Sequence, residues 1–109
     1  MSDVGDDRGA EGKAVAAFDP DGVLVVTLTG EIDISNVDSL RDGIEPALAQ
    51  RPERVVFDVA GLDFLDSSGI AMLLGAAART SSVQLRNPSP IVRRIIEVTG
   101  LAGVLHVEP

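Results

Sequence analysis

Residues 61–74 read GLDFLDSSGIAMLL, with Ser67 and Ser68 set between the carboxylate of Asp66 and Gly69, where an apolar run passes into a helical pattern. A serine in that setting has three uses. It can attack as a nucleophile, accept a phosphate, or cap the helix by accepting from the unsatisfied amides of the first turn. Attack requires a base within reach. The only histidine, His106, lies in an apolar strand pattern near the end of the chain, and no nucleophile-elbow sequence surrounds either serine. Gly69 is not followed by the Lys-Ser/Thr pair that grips phosphates and magnesium, which removes nucleotide hydrolysis. With no cysteine and one histidine, a metal would have to be held by carboxylates, and Asp58, Asp63 and Asp66 lack the spacing of a calcium loop. An enzyme is therefore not expected, nor a cofactor or a metal.

The cap and the phosphate remain. Asp66 or Ser67 can accept from the first-turn amides. Phosphorylation asks only that the hydroxyl be presented, because ATP and the catalytic groups come from a partner. A phosphoserine adds about −1.5 to −2 charges, which suits the positive end of a helix and penalises any apolar or acidic surface docked there. Such a change spares the fold and breaks an interface, as a reversible binding switch requires.

The elements that must position these residues are legible from periodicity. Residues 1–13, rich in Gly and Asp, have no apolar repeat and are expected to be a disordered acidic tail, leaving one domain over 14–109. AVAAFD and VLVVTLTG, separated by the turn sequence DPDG, predict a hairpin. Ser35 and Asp38 have capping-box spacing ahead of Val37, Leu40, Ile44 and Leu48, which predicts a helix over 36–50 that Pro46 could kink or end early. RVVFDVA, residues 54–60, reads as a central strand covered on both faces. Ile70, Leu73, Leu74, Ala77 and Ala78 make the next helical stripe, and SVQLRN another strand. Ser89 as cap, Pro90 at the first helical position and Gly100 as the stop frame a third helix, and GVLHVE a last strand. Strands alternating with helices imply an α/β domain, a mainly parallel sheet with an antiparallel edge from the hairpin. GLDFLDSS then lies at the carboxyl end of the central strand, where open α/β sheets carry their sites.

Composition bounds the partners. The net charge is −8, the basic residues are eight Arg and one Lys, and the densest cluster is Arg93 with Arg94. Phosphate backbones need basic stripes, so direct nucleic-acid binding is disfavoured. No apolar run approaches a bilayer-spanning length, the N-terminus is acidic where a secretory signal would be basic, and cysteine is absent, so a cytoplasmic protein without membrane contact is expected.

Three segments, in order, resemble the STAS domains and among them the small anti-sigma factor antagonists of bacteria: LTGEIDISNVDSL, VVFDVAGLDFLDSSGIAMLL and NPSPIVRRIIEVTGL. The resemblance implies a sheet flanked by helices and a partner-switching mechanism. The unmodified antagonist binds an anti-sigma factor that is also a serine kinase, releasing a sigma factor; the kinase phosphorylates the antagonist, which lets go; a PP2C-type phosphatase restores it. By position the acceptor is Ser68, with Ser67 as cap. Asp33 matches an acidic residue associated with partner contact and phosphorylation, and Asp66 and Gly69 match residues that shape the loop. Gly69 would leave the backbone beside Ser68 open to a kinase. A second reading within the same resemblance is an accessory subunit of a lipid-transport ATPase complex; a third is nucleotide binding by the loop.

Overall fold

The computed structural model describes residues 11–108, so the tail expected over 1–13 falls for residues 1–10 outside the described residues. Its last part is structured: Glu11 bridges Glu31, and β1 begins at Lys13. The five strands are β1 (Lys13–Phe18), β2 (Leu24–Ile32), β3 (Arg54–Leu65), β4 (Ser82–Arg86) and β5 (His106–Val107). Among the described residues three helices alternate with them, α1 (Val37–Leu48), α2 (Ser67–Ala77) and α3 (Pro90–Val98), and a 3-10 turn, Leu101–Gly103, precedes β5.

The strands lie in chain order, β1-β2-β3-β4-β5, with β1 antiparallel to β2 and the other pairs parallel. Each crossover therefore steps one strand in the same direction. Right-handed crossovers that never reverse put all the helices on one face of the sheet. One continuous core results, in which Leu24, Val26 and Leu28 of β2 and Val55, Phe57 and Val59 of β3 meet Ile44 of α1, Leu73 of α2 and Ile96 of α3. The opposite face carries the alternate positions. Val15, Thr27, Glu31 and Ala60 are exposed there, and Val56 is buried between its register partners Val25 and Gln84. The expectation of a central strand covered on both faces is thus half correct: β3 is central, but a one-directional strand order leaves its second face without helices.

The turns follow their side chains. In the β1–β2 hairpin Asp19 Oδ1 accepts from the amides of Asp21 (2.8 Å) and Val23 (3.0 Å), and Gly22 takes φ +85°. Helix α1 buries Val37, Leu40, Ile44 and Leu48 at the expected spacing. Pro46 lies inside the last turn, and the helix continues past it by only two residues, ending at Leu48 with Ala49 as its C-cap, short of the expected end at 50. The capping box is corrected: the N-cap is Asn36, which makes no side-chain cap bond, and Ser35 turns back to Asp33. Helix α3 begins as expected, with Ser89 Oγ accepting from the Val92 amide at 3.2 Å and Pro90 in the first turn. Its Arg93 donates from Nη2 to the Glu108 carbonyl (2.9 Å), tying α3 to the chain beyond β5.

Strand β3 runs to Leu65, beyond the predicted end at Ala60. Its register against β2 shifts twice, Thr27 and Thr29 pairing with Asp58 and Gly61, then Gly30 and Glu31 with Leu62 and Phe64. Each shift gives β3 an extra residue, as in a β-bulge, and returns Leu62 and then Leu65 to the core face at spacings of three. The first bulge needs its glycine, since a Cβ on Gly61 would stand 2.9 Å from Thr29 Cγ2.

Candidate functional site

The second bulge delivers the chain to Asp66. Its amide donates to the Ile32 carbonyl at 3.1 Å, which keeps the end of β3 beside the end of β2. With extended backbone (φ −97°, ψ −168°) Asp66 is the N-cap of α2, and its Oδ1 accepts from the amides of Ser68 (2.8 Å) and Gly69 (3.3 Å). This corrects the assignment of the cap to Ser67, which already lies inside the helix. Asp66 stands one residue earlier, where an extended backbone aims the carboxylate at the amides two and three residues on.

The same oxygen accepts from Ser68 Oγ at 2.5 Å. That hydroxyl holds the Asp66 carboxyl below the usual carboxylate range; partial burial opposes it, and the amides of Gly69, Ser68 and Ile34 add to the lowering. Ser68 is half-buried with its hydroxyl in a defined direction. Ser67 is exposed, and among the described residues its hydroxyl makes no hydrogen bond. Gly69 is buried, and a Cβ there would stand 2.9 Å from Leu65 Cβ and 3.1 Å from Ile32 Cγ2. The glycine is required by packing of α2 on β2 and β3, which corrects the expectation that it uncovers the backbone to a partner.

Asp33 lies in the neighbouring loop, after the end of β2. Its Oδ1 accepts from Ser35 N (2.9 Å) and Ser35 Oγ (2.5 Å), and its carbonyl accepts from Asn36 and Val37. Asn36 closes the loop from the other side, accepting from the Asp33 amide (3.0 Å) and donating to the Glu31 carbonyl (2.9 Å). The structure therefore brings Asp33 to the same end of the sheet as Ser68 but engages its carboxylate within its own loop. Two exposed apolar side chains were passed over by sequence reasoning: Ile34, 76% exposed, whose amide meets the Asp66 carboxylate, and Phe64, 43% exposed, which pairs with Glu31 on the helix-free face of the sheet. The signal for Ile34 was an apolar residue directly after Asp33, at a position the strand and helix patterns do not need. From Ser67 to Ala78 no residue is ionisable, and Ser67, Ala71, Gly75 and Ala78 give the outer side of α2 a small, uncharged surface.

No helix among the described residues is long and apolar enough to cross a membrane, and no group of three or more His, Asp or Glu among them is placed to hold a metal ion. The site can present a hydroxyl and dock a surface.

A five-stranded mixed sheet with helices on one face and an Asp-capped helix start after its central strand is the architecture of the STAS domains. The family model described as "Mlab, STAS domain" matches residues 16–107, and the chain belongs to that family. An anti-sigma F factor antagonist of Lysinibacillus sphaericus is 34% identical over 83 residues, covering 72% of this chain and 71% of that protein. The crystal structure of an anti-sigma factor antagonist from Mycobacterium paratuberculosis superposes with a TM-score of 0.78 at 30% identity, over 92% of this chain and 87% of that one. The Bacillus protein SpoIIAA, an anti-sigma factor antagonist, matches in both of its solved forms: unphosphorylated with TM-score 0.68 at 27% identity (89% of each chain), and phosphorylated with 0.62 at 25% (89% and 92%).

Proposed function

We propose that this chain is an anti-sigma factor antagonist: it binds a kinase-type anti-sigma factor, frees a sigma factor from it, and is released when Ser68 is phosphorylated. The observation that carries the reading is the Ser68 hydroxyl, directed by Asp66 at the edge of an uncharged helix surface, with exposed Ile34, whose amide meets Asp66, beside it. Asp33, Asp66, Ser67 and Gly69 belong to that surface or support it. A phosphate there places about −2 charges beside the small, uncharged outer side of α2 that a docked partner would meet, while the helix start tolerates the charge. Relatives named as antagonists span most of this chain's length, and both forms of SpoIIAA share its fold, which agrees with a modification that leaves the fold in place. A PP2C-type phosphatase would return the protein to its binding form, and the chain itself supplies no catalytic group. The whole cycle belongs in the cytoplasm, where the sigma factor and ATP are.

The test is incubation with the kinase-type anti-sigma factor and ATP. Ser68 gains a phosphate and the complex weakens; Ser68→Ala binds the anti-sigma factor and carries no phosphate in the α2 segment. Phosphate on Ser67 of that variant would overturn the choice of acceptor. If the wild-type chain takes no phosphate and instead co-purifies with the subunits of a lipid-transport ATPase, the constitutive accessory reading replaces this one.

A further inference from the structure

The hydrogen bonds of the Ser68 site occur twice. In the loop after β2, Asp33 Oδ1 accepts from the amide and the hydroxyl of Ser35 at 2.9 and 2.5 Å; after β3, Asp66 Oδ1 accepts from the amide and the hydroxyl of Ser68 at 2.8 and 2.5 Å. Both are Asp-x-Ser segments at the carboxyl ends of adjacent parallel strands. Register pairs Ile32 with Leu65, so the two segments leave the sheet side by side. Ser35 is the more accessible of the two hydroxyl-bearing residues, exposed where Ser68 is half-buried, and its neighbour Ile34 is the most exposed large apolar side chain among the described residues. Helix α1 starts two residues after Ser35, and the Asn36 side chain is committed to Glu31 and Asp33, so no side chain accepts from the first-turn amides of α1. An anion on Ser35 would meet the positive end of a helix whose first-turn amides have no side-chain acceptor, with Asp38 as the one carboxylate in that turn.

We propose that Ser35 is a second phosphoacceptor, modified by the same kinase as Ser68. This rests on the partner-switching reading above. The lone pair of Ser35 Oγ attacks the γ-phosphorus of ATP, the bond from that phosphorus to the β–γ bridging oxygen breaks, and ADP leaves. The hydroxyl proton passes along its bond to the Asp33 carboxylate and on to solvent. Two phosphates then stand on neighbouring loops of one docking surface, adding about −3 to −4 charges in all, so the doubly modified form is the more firmly released.

The two acceptors fall on different tryptic peptides, residues 14–41 and 55–79. Wild-type, Ser68→Ala, and Ser35→Ala/Ser68→Ala proteins are incubated with the kinase-type anti-sigma factor and ATP, and the phosphate is located by intact mass and peptide fragmentation. The expected result is a mass shift of two phosphates in the wild type, one in Ser68→Ala located at Ser35, and none in the double variant. Wild-type protein modified on Ser68, with Ser35 unmodified in both it and Ser68→Ala, overturns this proposal and leaves the partner-switching reading standing. Phosphate on the 14–41 peptide at Ser39 or a threonine also overturns it. A wild-type chain that takes no phosphate on either peptide overturns both.

Discussion

At Asp66 one oxygen serves the Ser68 amide, the Gly69 amide and the Ser68 hydroxyl, so the residue that starts α2 also orients the hydroxyl proposed to take the phosphate. The charge of that carboxylate is stabilised by folding, and its pKa lies below the ordinary 3.8. A group with a lowered folded pKa contributes stability that is fully present above its ordinary value and is lost as the pH falls through the folded one. Asp66→Asn keeps an acceptor oxygen but removes the charge. In denaturant titrations across a pH series, wild type should exceed Asp66→Asn in stability near neutrality, and the gap should close as the pH drops below about 4. A gap that persists at the acid end would show that shape, and not charge, holds this cap. The residue types needed for a cap were plain in DSSG, but which of them caps was not. Asp66 and Ser67 are both competent, and the choice rests on which residue keeps extended backbone before the helix, a matter settled by where β3 ends.

Elements with a clean period were legible and those with an interrupted one were not. Strand β2 alternates buried and outward residues along most of its length, α1 repeats at Val37, Leu40, Ile44 and Leu48, and α3 is framed by Ser89, Pro90 and Gly100, which takes φ +75° after the helix. Strand β3 breaks its period with two bulges, so a period-two reading stops at Ala60 although Leu62 and Leu65 are core residues. The bulges have a functional consequence, because they decide where Asp66 and Ser68 leave the sheet. Packing of α2 at that point depends on Gly69. Gly69→Ala would gain helix propensity, but its Cβ would press on Leu65 and Ile32 at 2.9 and 3.1 Å. We expect a net loss of about 1–3 kcal/mol from overpacking, measured as a lowered urea midpoint with unchanged slope. An unchanged midpoint would mean that α2 can lift from the strands without cost, and that glycine is there for another reason.

Across the whole molecule the helices and the core lie on one side of the sheet, and the candidate site lies at one end of it, outside that core. Charge added at Ser68 therefore perturbs a surface and leaves the packing alone. Ser68→Asp should retain the circular dichroism of the wild type and unfold within about 1 kcal/mol of it, the size of a single charge effect at a helix start, while binding the anti-sigma factor poorly. Loss of the folded signal would sink the separation of switch from fold. The class of the domain, its alternating strands and helices, and the aspartates and serines of the candidate site are properties of residue type and local spacing, and were legible in the sequence. Only the tertiary structure decided that β3 continues through two bulges, that its second face carries no helix, that Gly69 is demanded by Leu65 and Ile32, and that the Asp33–Ser35 loop lies beside the Asp66–Ser68 loop. Each of these depends on the pairing of strands distant in the chain, and residue type and local periodicity carry no record of which backbone lies next to which.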